Sequence, residues 1–222
     1  MAILEIQQAR AAAGEAALQG PALYLSQLRR ELPRVMAGEL RYRPVATDDY
    51  WRLWLATRHP EFNRCLPWPA PTQPAGALER MRDLLADEAV GRLIAFACER
   101  PSEGRQWVAI FRFTAWRDGL ETGLWLHPDG WGQGHGTRII ATAIETAFAR
   151  TAIPAVYSKT TADNVGAHRI TTRCGMTAIG PASAPDDRGG MIHGIEWRIT
   201  RQEAARRKAD RSAARVTGPK IG

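Results

Sequence analysis

The fold of this 222-residue chain is decided by the segment Leu124-Trp125-Leu126-His127-Pro128-Asp129-Gly130-Trp131-Gly132-Gln133-Gly134-His135-Gly136-Thr137. Its start predicts a strand, its glycines predict a turn, and the residues from Gln133 to about Arg150 predict an amphipathic helix. Backbone N–H groups at the start of such a helix lack partners within it, and the positive end of the helix dipole lies there. The segment therefore predicts a cradle for a pyrophosphate group.

Three kinds of phosphate-binding turn use glycines in this way. A P-loop requires Lys directly after its last glycine, whereas Thr137 follows Gly136. A dinucleotide-binding turn requires G-x-G-x-x-G, whereas Gly132, Gly134 and Gly136 are spaced G-x-G-x-G. The segment resembles the third kind, the coenzyme A turn of the GNAT acetyltransferases, (Gln/Arg)-x-x-Gly-x-(Gly/Ala). Trp131 stands at its Gln/Arg position, as in the RimJ/RimL branch. The alternative is a glycine-rich surface turn without a ligand.

A second segment, from Asn164 to Met176, resembles the other GNAT signature. The matching residues are Asn164, Ala167, Ile170, Arg173, Gly175 and Met176, with Met in place of the usual Phe. Asn164 follows a predicted strand, so we expect it to cap the next helix or to bind the pantetheine or pyrophosphate. Ile170 is expected to face the core, and Gly175 to end the helix in the left-handed conformation.

The strand pattern agrees with this resemblance. Runs at 91–99, 106–115 and 119–127 are separated by turn residues and predict an antiparallel meander. The run at 155–160 follows a helix, so it is expected to lie parallel to the strand before the glycine turn. The resemblance implies the GNAT fold, an α/β (α+β) fold. It has a mixed, mostly antiparallel sheet with a splayed parallel strand pair, flanked by helices.

Three regions are predicted. Residues 1–39 form a helical N-terminal extension that could cover the domain, form a dimer contact or carry targeting information. Residues 40–201 form the GNAT acetyltransferase domain, which closes with a hairpin at about 176–181 and 190–200. Residues 202–222 form a basic C-terminal tail.

Composition narrows the classes of partner. A net charge of +7 and a pI near 9.9 favour anionic partners such as coenzyme A. The basic tail has no interleaved aromatic residues, so nucleic-acid binding is not favoured. The three cysteines, Cys65, Cys98 and Cys174, are widely spaced and are expected to be reduced thiols. We expect no metal site, no membrane span and no secretory signal, and hence a cytoplasmic protein.

The resemblance implies that acetyl-CoA lies between the two splayed strands. Its pyrophosphate would bind the turn, and its pantetheine would follow the strand edge near Trp125 and Leu126. A backbone N–H at a bulge in that strand would polarise the thioester carbonyl. The expected coenzyme-binding residues are Trp125, Leu126, Gln133, Gly134, His135, Gly136, Thr137, Asn164 and Arg169.

The chemistry implied is direct attack of an amine on the acetyl carbon. Glu121 lies near the start of the strand before the turn, where GNAT enzymes with a glutamate base often carry it, and is the predicted general base. The alternative for Glu121 is an exposed strand residue or a salt-bridge partner. Thr171 stands where many GNAT enzymes carry a tyrosine acid. Tyr157, Ser158 or solvent are the remaining candidates for protonating the thiolate.

The acceptor is the least determined feature. The aromatic residues Tyr50, Trp51, Trp54 and Trp68 are expected to line its pocket, and a dense acidic cluster is missing there. The interpretation we favour is acetylation of a protein or peptide N-terminal amine. The alternatives are a small-molecule amine, such as a metabolite or antibiotic, and a catalytically idle module that binds coenzyme A.

Overall fold

The computed structural model describes residues 19–64, 70–101, 106–185 and 190–216. The strands are β1 (Met36–Ala37), β2 (Leu40–Pro44), β3 (Leu93–Arg100), β4 (Gln106–Trp116), β5 (Gly119–Leu126), β6 (Ala155–Thr161), β7 (Thr177–Pro185) and β8 (Met191–Thr200). They form one sheet in the order β1-β2-β3-β4-β5-β6-β8-β7. The predicted meander is confirmed, since β3, β4 and β5 pair antiparallel in succession. The closing hairpin is confirmed as β7 and β8.

Helices flank the sheet. They are α1 (Gln19–Glu31), α2 (Tyr50–Ala56), α3 (Pro60–Arg64), α4 (Pro74–Ala89), α5 (His135–Arg150), α6 (Val165–Arg173) and α7 (Arg201–Val216). Short 3₁₀ turns occupy Leu32–Arg34, Thr47–Asp49 and Pro128–Gly130. In the part of the chain that the structure describes, none of the helices combines the length and the apolar character that a membrane crossing requires.

Two layers of apolar side chains hold the sheet. The larger core lies between one sheet face and the helices α1 and α5, and includes Leu28, Phe111 and Ile140. A smaller core under α4 covers part of the other face and includes Met81 and Ile110. Helix α1 therefore belongs to the main core: within the predicted N-terminal extension, the described residues from 19 onwards pack on the domain.

The parallel pair β5–β6 is short. Only Leu120↔Val156, Glu121↔Tyr157 and Thr122↔Ser158 are in register, although β5 continues to Leu126 and β6 to Thr161. Beyond Thr122 the two strands separate. The predicted splayed parallel pair, and with it the predicted fold class, is confirmed.

The basic C-terminal region begins as helix α7, which continues to Val216. Its first residue, Arg201, donates hydrogen bonds to the carbonyl oxygens of Phe148, Thr151 and Ile153. These carbonyls lie at and just beyond the end of α5, where the helix leaves its last carbonyl groups without intrahelical partners. Arg201 thereby ties the start of α7 to the domain.

Candidate active site

The wedge between β5 and β6 exposes one backbone edge. His127 N donates to Val108 O at 2.8 Å, and in an antiparallel pair such bonded positions alternate with unbonded ones. Odd-numbered residues of β5 therefore bond to β4, and even-numbered ones direct their N–H and C=O groups towards β6. Because β6 has left the sheet edge beyond Thr122, Leu124 and Leu126 present these groups to the wedge. Of the two residues predicted here, Leu126 supplies backbone groups to the edge.

The backbone N–H and C=O groups of Trp125 bond to β4. Its side chain lies on the sheet face opposite that of Leu124 and Leu126. There it packs against the apolar cluster under α4 and against a second cluster formed by Leu53, Ala56 and Phe62. A wedge ligand would therefore not meet the Trp125 backbone. Its indole lies on the same sheet face as Glu121, four residues earlier on β5, and we name this face the acceptor face after the acceptor expected beside Glu121.

The expected bulge in β5 is not formed. Pairing between β4 and β5 runs from Ala109↔Leu126 to Trp116↔Gly119 without a shift in register, so that expectation is wrong. The free N–H groups arise from the departure of β6 instead. A regular strand that loses one neighbour exposes every second peptide group, and no irregularity in the strand is needed.

Trp131 closes part of this edge. Its indole Nε1 donates to Leu126 O at 3.0 Å, and its ring centroid lies 5.1 Å from that of His59 in an edge-to-face contact. The tryptophan that replaces the motif's Gln or Arg thus links the glycine turn to the loop after α2. Because Trp131 occupies the carbonyl of Leu126, Leu124 is the residue that presents both its N–H and its C=O group to the wedge.

The glycine turn has the geometry of an anion cradle. Gly132 and Gly134 have φ of 74° and 76°, a conformation that disfavours side chains. The first helical bond of α5 runs from Arg138 N to Gly134 O at 3.1 Å. The N–H groups of the three preceding residues therefore project from the helix start. The side chain of Gln133 bends back, with Nε2 donating to Asp129 O at 2.6 Å.

Gly136 lies in a closely packed position. A Cβ at this position would lie 2.6 Å from Ile170 Cδ1 of α6 and 3.3 Å from Leu124 Cδ2. The glycine therefore lets α6 and β5 approach the first turn of α5. Ile170 packs against the main core as predicted.

His135 is a buried support of the turn, with 2% of its surface exposed. Its Nε2 lies 3.0 Å from Gln133 Oε1 and 3.1 Å from Arg100, and its Nδ1 lies 3.4 Å from Arg138. Burial lowers the pKa of His135, the two guanidinium groups lower it further, and Glu39 opposes them only in part. The imidazole is therefore neutral near pH 7, and a ligand in the cradle would meet the backbone of His135.

The second signature forms helix α6. Asn164 Oδ1 accepts a hydrogen bond from Ala167 N at 2.9 Å, so of its two expected roles the helix cap is formed. Gly175 ends the helix with φ of 86°, as predicted. Arg169 is exposed on α6, and Thr137 lies in the first turn of α5, where its carbonyl accepts from Cys174 Sγ at 3.7 Å. Coenzyme binding by these residues stays a prediction.

Glu121 is an ion-pair partner on the acceptor face. Its carboxylate lies 2.9 Å from Lys159 Nζ and 3.8 Å from an Arg112 nitrogen, and its side chain is 12% exposed. The same ammonium group lies 3.1 Å from the centroid of a Trp116 ring. Sequence reasoning missed Lys159, because its meeting with Glu121 depends on the register of two strands that a helix separates.

Two neighbouring carboxylates, those of Glu196 and Asp118, are also bonded. Glu196 of β8 accepts hydrogen bonds from Trp116 Nε1 at 3.2 Å and from Arg117 at 2.9 Å. Tyr157 donates to Asp118 Oδ1 at 2.9 Å, so its hydroxyl points away from the wedge. Among the described residues no group of three or more His, Cys, Asp or Glu side chains is arranged to hold a metal ion.

Thr171, which takes the place of the usual tyrosine acid, and Ser158, a candidate proton donor, lie in different parts of the domain. The Thr171 hydroxyl donates within its own helix, to Ala167 O and His168 O, and the residue is 4% exposed. Ser158 is 8% exposed and lies at the last pair before the strands separate. Trp68, predicted for the acceptor pocket, lies outside the described residues.

Comparison with solved structures finds this fold among acetyltransferases. RimJ from Mycobacterium smegmatis, in complex with CoA-disulfide, is 18% identical with a TM-score of 0.63, covering 79% of this chain and 90% of that one. Ribosomal-protein-S5-alanine acetyltransferase from Vibrio fischeri is 14% identical, with a TM-score of 0.58 and coverage of 73% and 93%. Spermidine N-acetyltransferase from Vibrio cholerae, with CoA and spermine, is 13% identical, with a TM-score of 0.61 and coverage of 75% and 98%.

No curated protein sequence matches the chain. The family model described as "Acetyltransferase (GNAT) domain" matches residues 39–177, which include the glycine turn and the Asn164 signature. The predicted membership is confirmed, and with it acetyl-CoA as the cosubstrate. This chain belongs to the GNAT family of acetyl-CoA-dependent N-acetyltransferases, and its fold is that of the RimJ/RimL-like members.

Proposed function

We propose that this enzyme acetylates a single amino group at the N-terminus of a protein or peptide, with Glu121 as general base. The observation that carries the proposal is the charge balance of the acceptor face. Glu121 is matched by Lys159 and Arg112, and Glu196 by Arg117. A polycationic acceptor requires several carboxylates without cationic partners, whereas one ammonium group needs only one carboxylate that can exchange partners.

The outer surface of α2 also suits a peptide. Trp51 and Leu55 lie one turn apart there and are 47% and 45% exposed. The opposite side of the helix, with Leu53 and Ala56, packs against Trp125, so the exposed pair lies beyond the acceptor face. A peptide would have side chains to bury against this apolar pair, since its chain extends beyond the reacting amine. A small amine would leave the pair uncovered.

Each part of the site has a separate task in the reaction. The cradle N–H groups of α5 hold the pyrophosphate of acetyl-CoA, and the Leu124 edge orients the pantetheine as an added strand. The acceptor ammonium replaces Lys159 beside Glu121 and gives a proton to the carboxylate. The neutral amine then attacks the acetyl carbon, an N–C bond forms and the C–S bond breaks. The nitrogen loses its second proton to solvent, and solvent protonates the thiolate. Positioning supplies most of the rate, and the base contributes about 10²–10⁴-fold.

Intact-mass analysis of peptides and small amines, incubated with acetyl-CoA and the full chain, tests the proposal. We expect one acetyl group on particular peptide N-termini. Glu121→Gln should lower kcat by about 10²–10⁴-fold and leave the Kd for coenzyme A unchanged, because the base does not touch the cradle. Glu145→Gln, at an exposed position on α5, is the matched control and should behave like the parent enzyme.

Two other outcomes would contradict the proposal. Acetylation of small amines alone would make the acceptor a metabolite or an antibiotic. Binding of coenzyme A without transfer to any amine would indicate the idle module. The proposal keeps the cytoplasmic location expected from the sequence, because acetyl-CoA and newly made protein N-termini are both available there.

A further inference from the structure

Lysine is rare in this chain, and its placement is informative. Of the 30 cationic residues, only Lys159, Lys208 and Lys220 are lysines, and the others are arginines. Lys159 is therefore the one lysine in the first 207 residues, and it lies on the acceptor face. Arginine stays protonated in proteins, whereas a lysine amine can lose its proton and act as a nucleophile.

The surroundings of Lys159 are those expected for a reacting amine. It directly follows Ser158, the last β6 residue paired with β5, so its backbone borders the wedge. Its Nζ lies 2.9 Å from Glu121 Oε2 and 3.1 Å from the centroid of a Trp116 ring. Glu196, opposite on β8, is bonded to other groups. The ammonium group thus sits against the candidate base, where the proposed function places the acceptor ammonium.

We propose that Lys159 is a self-acetylation site, modified by the enzyme's own acetyl-CoA when no acceptor amine occupies the face. The inference rests on the proposed function, since it uses the same base and the same thioester. The ammonium gives one proton to Glu121, and Nζ attacks the acetyl carbon. An N–C bond forms, the C–S bond breaks, and coenzyme A leaves as a thiolate. The second proton of the nitrogen passes to the thiolate, and Glu121 releases the first to solvent.

The modification would change the site itself. An acetylated lysine is a neutral amide, so it can neither pair with Glu121 nor place a cation over Trp116. Among the described residues, Glu121 would then keep the more distant Arg112, at 3.8 Å, as its cationic partner. A modified enzyme would therefore present a less compensated carboxylate to an incoming ammonium group, and the KM for the acceptor should fall.

Peptide mapping of the full chain after incubation with acetyl-CoA tests the inference. Lys208, exposed on α7, reports non-enzymatic acetylation in the same sample. We expect Lys159 to be acetylated at least tenfold faster than Lys208, with a rate constant independent of protein concentration. A saturating peptide acceptor should slow the labelling of Lys159 and leave that of Lys208 unchanged.

Two variants complete the design, and coenzyme A binding checks that each remains folded. Glu121→Gln should reduce labelling of Lys159 by about 10²-fold or more without affecting Lys208. Lys159→Arg keeps the positive charge and should show no labelling at position 159. Equal labelling of Lys159 and Lys208, or Lys159 labelling that survives Glu121→Gln, would overturn the inference. Peptide acetylation without Lys159 labelling would overturn the self-acetylation inference and leave the proposed function standing. If neither the peptide nor Lys159 is acetylated, the proposed function is rejected as well.

Discussion

Replacing Gly136 by alanine tests why the turn needs its last glycine. The added Cβ would lie 2.6 Å from Ile170 Cδ1 and 3.3 Å from Leu124 Cδ2. Overpacking of this kind costs about 1–3 kcal/mol, and alanine in place of glycine in a helix returns about 0.5–1 kcal/mol. We therefore expect Gly136→Ala to lower the free energy of unfolding by roughly 0.5–2 kcal/mol.

Ile170→Val should relieve the overpacking caused by Gly136→Ala, because valine lacks the Cδ1 atom with which the added Cβ would collide. On its own it should cost about 0.5–1.5 kcal/mol. In that background the added Cβ should cost nothing measurable, which corresponds to a coupling energy of about 0.5–2 kcal/mol between the two positions. Urea unfolding of the parent, the two single variants and the double variant measures the cycle. Additive effects would refute the packing explanation.

The same four proteins distinguish two reasons for a glycine at position 136: close packing against Ile170, and close approach of the phosphate group of coenzyme A. If Gly136 serves only packing, the double variant should bind coenzyme A within about twofold of the parent, since the N–H groups of the cradle return to their places. If a Cβ obstructs the phosphate, the affinity should stay at least about tenfold lower, or 1.4 kcal/mol, even where stability has recovered. Isothermal titration with coenzyme A distinguishes these results, and the second would contradict our assignment.

Three further perturbations have signs that the structure fixes. The pKa of His135 is lowered by burial and by two guanidinium groups, so its contribution to stability is present above the ordinary value of about 6.5 and is lost as the pH falls below it. Thermal unfolding at about pH 7.5 and 5.5 should therefore show a larger decrease for the parent than for His135→Gln. Arg201→Ala leaves carbonyl groups at the end of α5 without their donor and should cost about 1.5–3 kcal/mol, with Arg201→Lys intermediate in urea unfolding. Trp131→Phe removes the bond to Leu126 O and should raise the KM for acetyl-CoA several-fold without changing kcat; an unchanged KM would show that this bond does not shape the wedge.

Local features of the site were predictable from the sequence. Positive φ at Gly134, the helix cap at Asn164 and the left-handed Gly175 follow from residue type and short spacing, because only a few residues can adopt these conformations. The order of helices and strands was equally accessible. It determines that β5 and β6 are parallel, since a helix connects them.

Contacts between distant segments were not predictable. The pairing of Glu121 with Lys159 depends on the register of β5 against β6, and no short pattern encodes that register. The contact of Arg100 with His135 joins the end of β3 to the glycine turn. The predicted bulge failed for a related reason: whether a strand edge is free depends on where its neighbour departs.

The departure of β6 follows from competing partners. β5 makes eight residue pairs with β4, and β6 makes seven with β8, whereas the two make only three with each other. Each strand is thus fixed by a neighbour on its far side, and the wedge between them is built into the sheet. The end of the short contact also brings Glu121, which belongs to it, beside Lys159, which directly follows it. One feature of topology therefore creates the candidate coenzyme-binding edge and brings the candidate base beside an amine.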